Sequence, residues 1–295
     1  MRFFSFSRYG AEVLLIILTF IAYLPLAFGH ALASLIVLAR RLCQKKEKQI
    51  FLANVNRVYG FKQHSPFTNL FLDQVYYNQA RTALETIRAI LRPNQLQLDG
   101  YEELAALVQP LSHDRTKGFI AITAHLGSWE LAGSFVAKAL GRDFFVLAKP
   151  SRYSWATIFL DKLRRKMGTF VLWTNKKSLP RDMIACLDAG KGLGFVMDQK
   201  PQGRVGPKVL FFDQATEFVG GPAMMALRKN VPIIATFCIR LGPSYFRLVS
   251  RVIYNPSADT GKDLTAITQD AAQAIEEAIR QYPDQWCWDY KRWAL

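Results

Sequence analysis

Cysteine is scarce and scattered in this chain. Cys43, Cys186, Cys238 and Cys287 are the four cysteines in 295 residues, with no C-x-x-C pair and no histidine at ligand spacing. That argues against a disulfide scaffold or a zinc site and fits a reducing compartment. Acidic residues are also short, 23 Asp and Glu against 38 Lys and Arg, for a formal net charge of +15. A balance this basic calls for an anionic partner: nucleic acid, a membrane surface, an acidic protein or a phosphorylated substrate. There is no internal repeat, no low-complexity tract, no G-x-S-x-G nucleophile elbow and no G-x-G-x-x-G loop after a strand. Hydrophobic residues make up 51% of the chain, which excludes a disordered polypeptide. The length allows one large domain or two ordinary ones.

Charge is missing altogether from Val13 to Ala39. A membrane-spanning helix needs about 20 apolar residues, so the run is long enough to anchor the chain. Pro25, Gly29 and His30 interrupt it, which predicts a kink or a shallow tilted insertion rather than a straight rod. Arg2 and Arg8 precede it, and Arg40, Arg41, Lys45, Lys46 and Lys48 follow. The heavier basic flank predicts that the C-terminal bulk faces the cytoplasm. Residues 1–42 are therefore expected to be a membrane anchor and 43–295 a soluble body on the membrane surface. A cleaved signal peptide ending at Ala31-Leu32-Ala33 fits less well, because the apolar run continues to Ala39 and then meets a basic stop.

Residues 43–65 read as a polar, basic connector. Pro66–Leu91 has helical periodicity, and a short helix is expected over Tyr101–Val108. Short apolar runs then alternate with helical stretches. Strands are predicted at Gly118–Thr123, Phe144–Ala148, Thr169–Trp173, Leu193–Met197, Val209–Phe212, Pro232–Ile239 and Phe246–Val252. Helices are predicted near Glu130–Leu140, Trp155–Met167, Leu179–Asp188, Pro222–Lys229 and Asp263–Tyr282. The expected fold class is α/β, a mostly parallel sheet flanked by helices, with an N-terminal membrane-anchoring helix. A tail carrying Trp286, Trp288 and Trp293 reads either as core packing or as an interfacial belt.

His125 directly follows the strand GFIAITA, where ligands bind in open α/β sheets. Glu130 opens the next helix, and a tight turn can bring that carboxylate back to the imidazole. A carboxylate on one ring nitrogen fixes the tautomer while the other nitrogen takes a proton. The plainer alternative is a core or capping histidine beside a helix-opening glutamate that favours the dipole. With no protein nucleophile in view, the substrate's own hydroxyl or amine would attack. Lys149, Arg152, Arg164, Arg165 and Lys166 are candidate cations for phosphate, carrier protein or headgroup, although the last three also suit a solvated helix face. Asp198, at the end of GLGFVM, is either an acid behind the site or a turn residue. Gly203, Gly206 and Pro207 read as a loop. Gly220-Gly221-Pro222 reads as a turn into a helix whose N-terminus can hold an anion.

The segment TAHLGSWELAG resembles the histidine-x4-acid signature of the glycerolipid and lysophospholipid acyltransferase superfamily. It is most similar to the branch of late lipid A acyltransferases, the lauroyl and myristoyl transferases. Lys149-Pro150-Ser151-Arg152, Asp198-Gln199, Phe211-Phe212 with Gly220-Gly221-Pro222-Ala223, and the tail YPDQWCWDYKRW match that branch in order, over roughly residues 10–293. The resemblance implies acyl transfer from a thioester to a hydroxyl of a membrane-embedded acceptor, without a cofactor or metal. Acyl-acyl carrier protein would be the usual donor and acyl-coenzyme A the alternative. It makes His125 the general base with Glu130 its partner. Lys149, Arg152, Asp198, Gln199, Gly220 and Gly221 become substrate-binding candidates. Tyr153-Ser154-Trp155 follows Arg152 where the branch has Arg-Asn-Pro, so lysophospholipid, aminolipid and glycolipid acceptors stay open. The location implied is the bacterial inner membrane, with the body on the cytoplasmic side. A rival reading is a non-catalytic, basic, membrane-tethered module that binds nucleic acid or anionic lipid; no helix-turn-helix, finger or RNP-like motif supports it.

Overall fold

The computed structural model describes residues 2–61, 65–113, 116–201 and 206–293. Gly203 and the side chains of Arg2 and Arg8 lie outside the described residues.

Four helices come first: α1 (Arg2–Tyr23), α2 (Leu26–Cys43), α3 (Lys45–Tyr59) and α4 (Pro66–Leu91). The uncharged run is divided between α1 and α2. Pro25 lacks an amide hydrogen and holds an extended conformation (φ −53°, ψ 149°), so the first helix stops before it and the second starts after it. Among the described residues, α2 is the helix long and apolar enough to cross a membrane by length and composition. The connector expected over 43–65 is mostly helix. Ile50, Phe51, Leu52 and Val55 of α3 are buried, and the surrounding Lys and Asn residues disguise that narrow apolar stripe in the sequence. α4 begins with a cap: Ser65 Oγ accepts from the Thr68 amide at 3.1 Å, with Pro66 at the first helical position.

The body alternates β1 (Gln97–Asp99), α5 (Tyr101–His113), β2 (Phe119–Thr123), α6 (Trp129–Leu140), β3 (Phe144–Ala148), α7 (Ser154–Lys166), β4 (Thr169–Trp173), α8 (Leu179–Asp188) and β5 (Gly192–Val196). A separate antiparallel ribbon of β6 (Lys208–Phe211) and β7 (Gln214–Glu217) follows. Then come α9 (Gly221–Lys229), β8 (Ile233–Gly242), β9 (Tyr245–Tyr254) and α10 (Leu264–Gln281). Seven strands form one sheet in the order β1-β9-β8-β2-β5-β3-β4. Every neighbouring pair is parallel except the β8–β9 hairpin. The fold is thus α/β with a mostly parallel sheet flanked by helices. The run expected to be a strand at Val209–Phe212 belongs to the ribbon, and Phe212 already sits in its turn at φ 52°. The short β1 and β7 carry too few residues to show a period in the sequence.

Alternation along β2 explains the two-sided core. Phe119 and Ala121 join the cluster formed with α5, α6 and α7; Ile120 and Ile122 join the one formed with α8, α9 and α10. The Trp-rich tail packs. Trp286, Trp288 and Trp293 are buried, with the Trp286 and Trp288 rings 4.6 Å apart and Phe211 stacked on Trp293 at 5.8 Å. Such aromatic pairs add about 0.5–1.5 kcal/mol each beyond their area.

Candidate active site

Strand order decides where the site lies. β2 and β5 are adjacent and parallel, yet the chain leaves β2 toward β3 and leaves β5 toward β8, on opposite sides. That divergence opens a crevice beyond the strands' C-terminal ends. Thr123 pairs with Val196 at the end of the ladder, and the Met197 amide continues it by donating to the Thr123 carbonyl at 2.9 Å. His125 and Asp198 each lie two residues past that last pair, so the register delivers them to the same place.

They meet there. His125 Nδ1 lies 2.8 Å from Asp198 Oδ1, and the His125 amide donates to Asp198 Oδ2 at 3.0 Å. The indole Nε1–H of Trp286 donates to the same Oδ2 at 2.8 Å. Three donors around one buried carboxylate hold it ionised. Burial alone would raise Asp198, but the charge and hydrogen bond of His125, with Trp286 adding, bring it below the ordinary carboxylate value. Burial likewise pulls His125 down, and it is overcome by the charge and hydrogen bond of Asp198, then by Glu130, so the imidazole lies above the ordinary histidine value. With Nδ1 committed to Asp198, Nε2 is the nitrogen left for a substrate.

The turn after His125 is over-determined. Gly127 is left-handed at φ 57°, and a Cβ there would come within 2.2 Å of the Cys238 carbonyl oxygen. The Ser128 amide donates to that same carbonyl at 2.8 Å, and the Cys287 amide donates to the His125 carbonyl at 3.1 Å. Thr86 of α4 and Ser128 share a hydroxyl–hydroxyl bond of 2.7 Å. The Trp129 ring stands edge-on to the imidazole, centroids 5.2 Å apart.

Glu130 does not hydrogen-bond to His125, as the spacing had suggested. Arg164, in the last turn of α7, takes both its oxygens: Nε to Oε2 at 2.9 Å and Nη2 to Oε1 at 2.6 Å. A planar guanidinium matches a carboxylate fork better than a single ring nitrogen does, and Asp198 arrives at the imidazole from the neighbouring strand. Arg164, which also suited a solvated face, is thus a buried-side partner of the site, with its side chain 13% exposed. Asp198, which also suited a turn, is the imidazole's partner.

His125, Trp129, Glu130, Lys149, Arg164, Gln199 and Lys200 line one cavity of about 490 Å³. Along α6 the wall passes from Glu130 through Gly133 to Val136, and along β3 from Lys149 back to Phe144. A polar mouth therefore leads into an apolar limb between α6 and the sheet, of a size typical for ligand sites of about 300–1,000 Å³. Arg152, in the bend before α7, and Gly220 and Gly221, at the start of α9, are not among the wall residues. A Cβ on Gly220 would press within 2.8 Å of the Pro207 ring, so that glycine serves loop packing. Among the described residues no three His, Cys, Asp or Glu side chains converge as metal ligands. Sequence reasoning missed Trp286 as a site residue, since nothing local links a tail tryptophan to a carboxylate 88 positions earlier.

Two mycobacterial proteins are similar to this chain. The phosphatidylinositol mannoside acyltransferase of Mycolicibacterium smegmatis is 27% identical over 175 residues, covering 59% of this chain and 56% of the relative. That of Mycobacterium tuberculosis is 25% identical over 170 residues, covering 57% and 52%. The chain spans about half the length of the curated relatives it matches. A family pattern reaches much further, matching residues 2–294 from the first helix through the tryptophan tail that holds Asp198. By that match over nearly its whole length, the chain belongs to the bacterial lipid A biosynthesis acyltransferase family.

Proposed function

We propose that the protein is an acyltransferase moving a fatty acyl chain from an acyl thioester to a hydroxyl of a lipid acceptor, a lipid A precursor or a related bacterial lipid. The observation that carries this reading is the His125–Asp198 pair at the mouth of an apolar limb. The acyl chain lies in the limb, its thioester carbonyl beside His125. The acceptor hydroxyl gives its proton to Nε2 as its oxygen attacks the carbonyl carbon. The C–S bond then breaks, and the departing thiolate takes the proton back from the imidazolium. Asp198 holds the tautomer and stabilises the charged ring between those two transfers. Glu130, fixed by Arg164, adds a second negative charge near the ring. Lys149 and Lys200 in the wall suit an anionic donor or headgroup and the developing oxyanion.

The donor is acyl-acyl carrier protein or acyl-coenzyme A, both anionic. The names of these relatives favour a glycolipid as the second acceptor candidate beside a lipid A precursor. The body works at the cytoplasmic face of the bacterial inner membrane. Purified protein given a lipid extract and each donor in turn tests the reading. A new lipid heavier by one acyl group, absent with His125→Ala, supports it. No acyl transfer to any lipid with either donor overturns it.

A further inference from the structure

α1 and α2 turn apolar surface outward as well as inward, where Leu14, Ala22, Ala33 and Val37 pack. Their outward stripes are apolar at helical spacing: Val13, Ile16, Ile17 and Phe20 on α1, and Phe28, Leu35, Leu38 and Leu42 on α2, with Phe20 68% exposed. Their inward faces carry the polar contacts. A face that large and apolar marks an interaction surface, and lipid is the medium that accepts it.

The contacts with the body come at four places along α1 and α2. At its start, Gly10 lies against Trp155, with a Cβ position 3.6 Å from the Trp155 Cβ, and Glu12 pairs with Lys162 of α7. At the α1–α2 junction, Arg88 Nη1 donates to the Leu24 carbonyl at 2.9 Å and the Arg92 guanidinium stacks 5.1 Å over Tyr23. Along α2, His30 Nδ1 meets the Tyr77 hydroxyl at 2.7 Å and Ala33 is fully buried. At the end, Arg40 pairs with Asp289 at 2.6 Å and Arg41 with Asp73 at 3.0 Å. A segment whose start, middle and end are all tied to one body cannot reach the far side of a bilayer and return its ends to that body.

We infer that α1 and α2 do not span the membrane but lie in its near leaflet, apolar stripes down, with the N-terminus on the same side as the catalytic body. The occupant of this surface is one leaflet of an anionic bilayer. Lys45 and Lys46, exposed at the start of α3, and Arg41, half-exposed in its pair with Asp73, supply the cationic charge for its headgroups. In-plane helices of this kind sink about 5–10 Å into the headgroup boundary. The inference builds on the membrane location proposed above and is independent of the acyl-transfer chemistry.

The test is sidedness of the intact chain in bacterial spheroplasts, with an epitope tag at each terminus and Leu26→Cys as a thiol at the junction. Both tags should resist protease added outside and be cut together after lysis. A membrane-impermeant maleimide should leave intact spheroplasts unlabelled. Cleavage of the N-terminal tag alone from outside means a single crossing, and labelling of position 26 from outside means a spanning hairpin; either overturns the inference. Recovery of the protein in the soluble fraction overturns both the inference and the membrane location. As a second measurement, Phe20→Asp and Leu38→Asp should each lower binding to vesicles of phosphatidylethanolamine and phosphatidylglycerol by about tenfold, with an unchanged melting temperature. Unchanged vesicle binding also overturns the inference.

Discussion

Trp286 donates its indole hydrogen to Asp198 at 2.8 Å, and Asp198 spends its other oxygen on His125 Nδ1. The C-terminal tail thus fixes the carboxylate that fixes the imidazole. Trp286→Phe keeps most of the packing against Phe211 and Trp288 and removes the donor. One lost hydrogen bond to a charged group is worth about 1.5–3 kcal/mol, so the turnover number should fall by roughly tenfold to a hundredfold. The KM for the acyl donor should hold, because the acyl limb does not include the indole. Steady-state kinetics with a fixed donor checks both.

Removing the imidazole should cost far more. His125→Ala should lower the turnover number by about 10²–10⁴, the usual weight of a positioned base, while the variant still binds lipid. Equal turnover in wild type and variant, measured by acylated-lipid mass spectrometry, would sink the assignment.

In the proposed mechanism Asp198 sets the pH at which His125 works as a base. The neutral ring accepts the proton, and the neighbouring carboxylates hold His125 above the ordinary histidine value. Activity should therefore rise with pH through that elevated value. Asp198→Asn removes the main raising charge, so the acid limb of the rate profile should move to lower pH while the plateau drops. An acid limb that stays in place would show that another group controls it.

Glu130 and Arg164 should behave as a unit. Arg164→Ala leaves a part-buried carboxylate without its fork, and Glu130→Gln removes the charge that Arg164 answers. Both should impair turnover, and a double-mutant cycle in melting temperature and rate should show a coupling of about 0.5–3 kcal/mol. Additive effects would mean that the pair is incidental.

Gly133 controls room in the apolar limb proposed to hold the acyl chain. A Cβ there meets Thr169 Cγ2 at 3.7 Å and Phe144 Cε1 at 3.8 Å, ordinary contact, so Gly133→Ala fits and Gly133→Leu must intrude on the cavity. The preferred acyl chain should shorten in the leucine variant, read from a series of donors of graded length. An unchanged length profile with retained activity would place the chain elsewhere.

Much of the body was legible because strands buried on both faces print as short apolar runs between helical periods. β2 through β5 and their helices answer to that pattern. α3 was not legible, since its buried Phe51 and Val55 are diluted by surface Lys and Asn. For the site, His125 showed itself by following a strand. Its partner did not, because hydrogen-bond choice between Glu130 and Asp198 depends on strand order, and the β2–β5 neighbourhood is a non-local property. The Trp286 tie is further still from view, joining residues 88 positions apart.

The Thr86–Ser128 bond makes α4 a strut. One flank of this helix carries α2, Arg88 in its last turn holds the α1–α2 junction, and Thr86 beside it braces the turn that holds the imidazole. On the proposed placement of the first two helices, the imidazole then stands at a set height above the bilayer on which they rest.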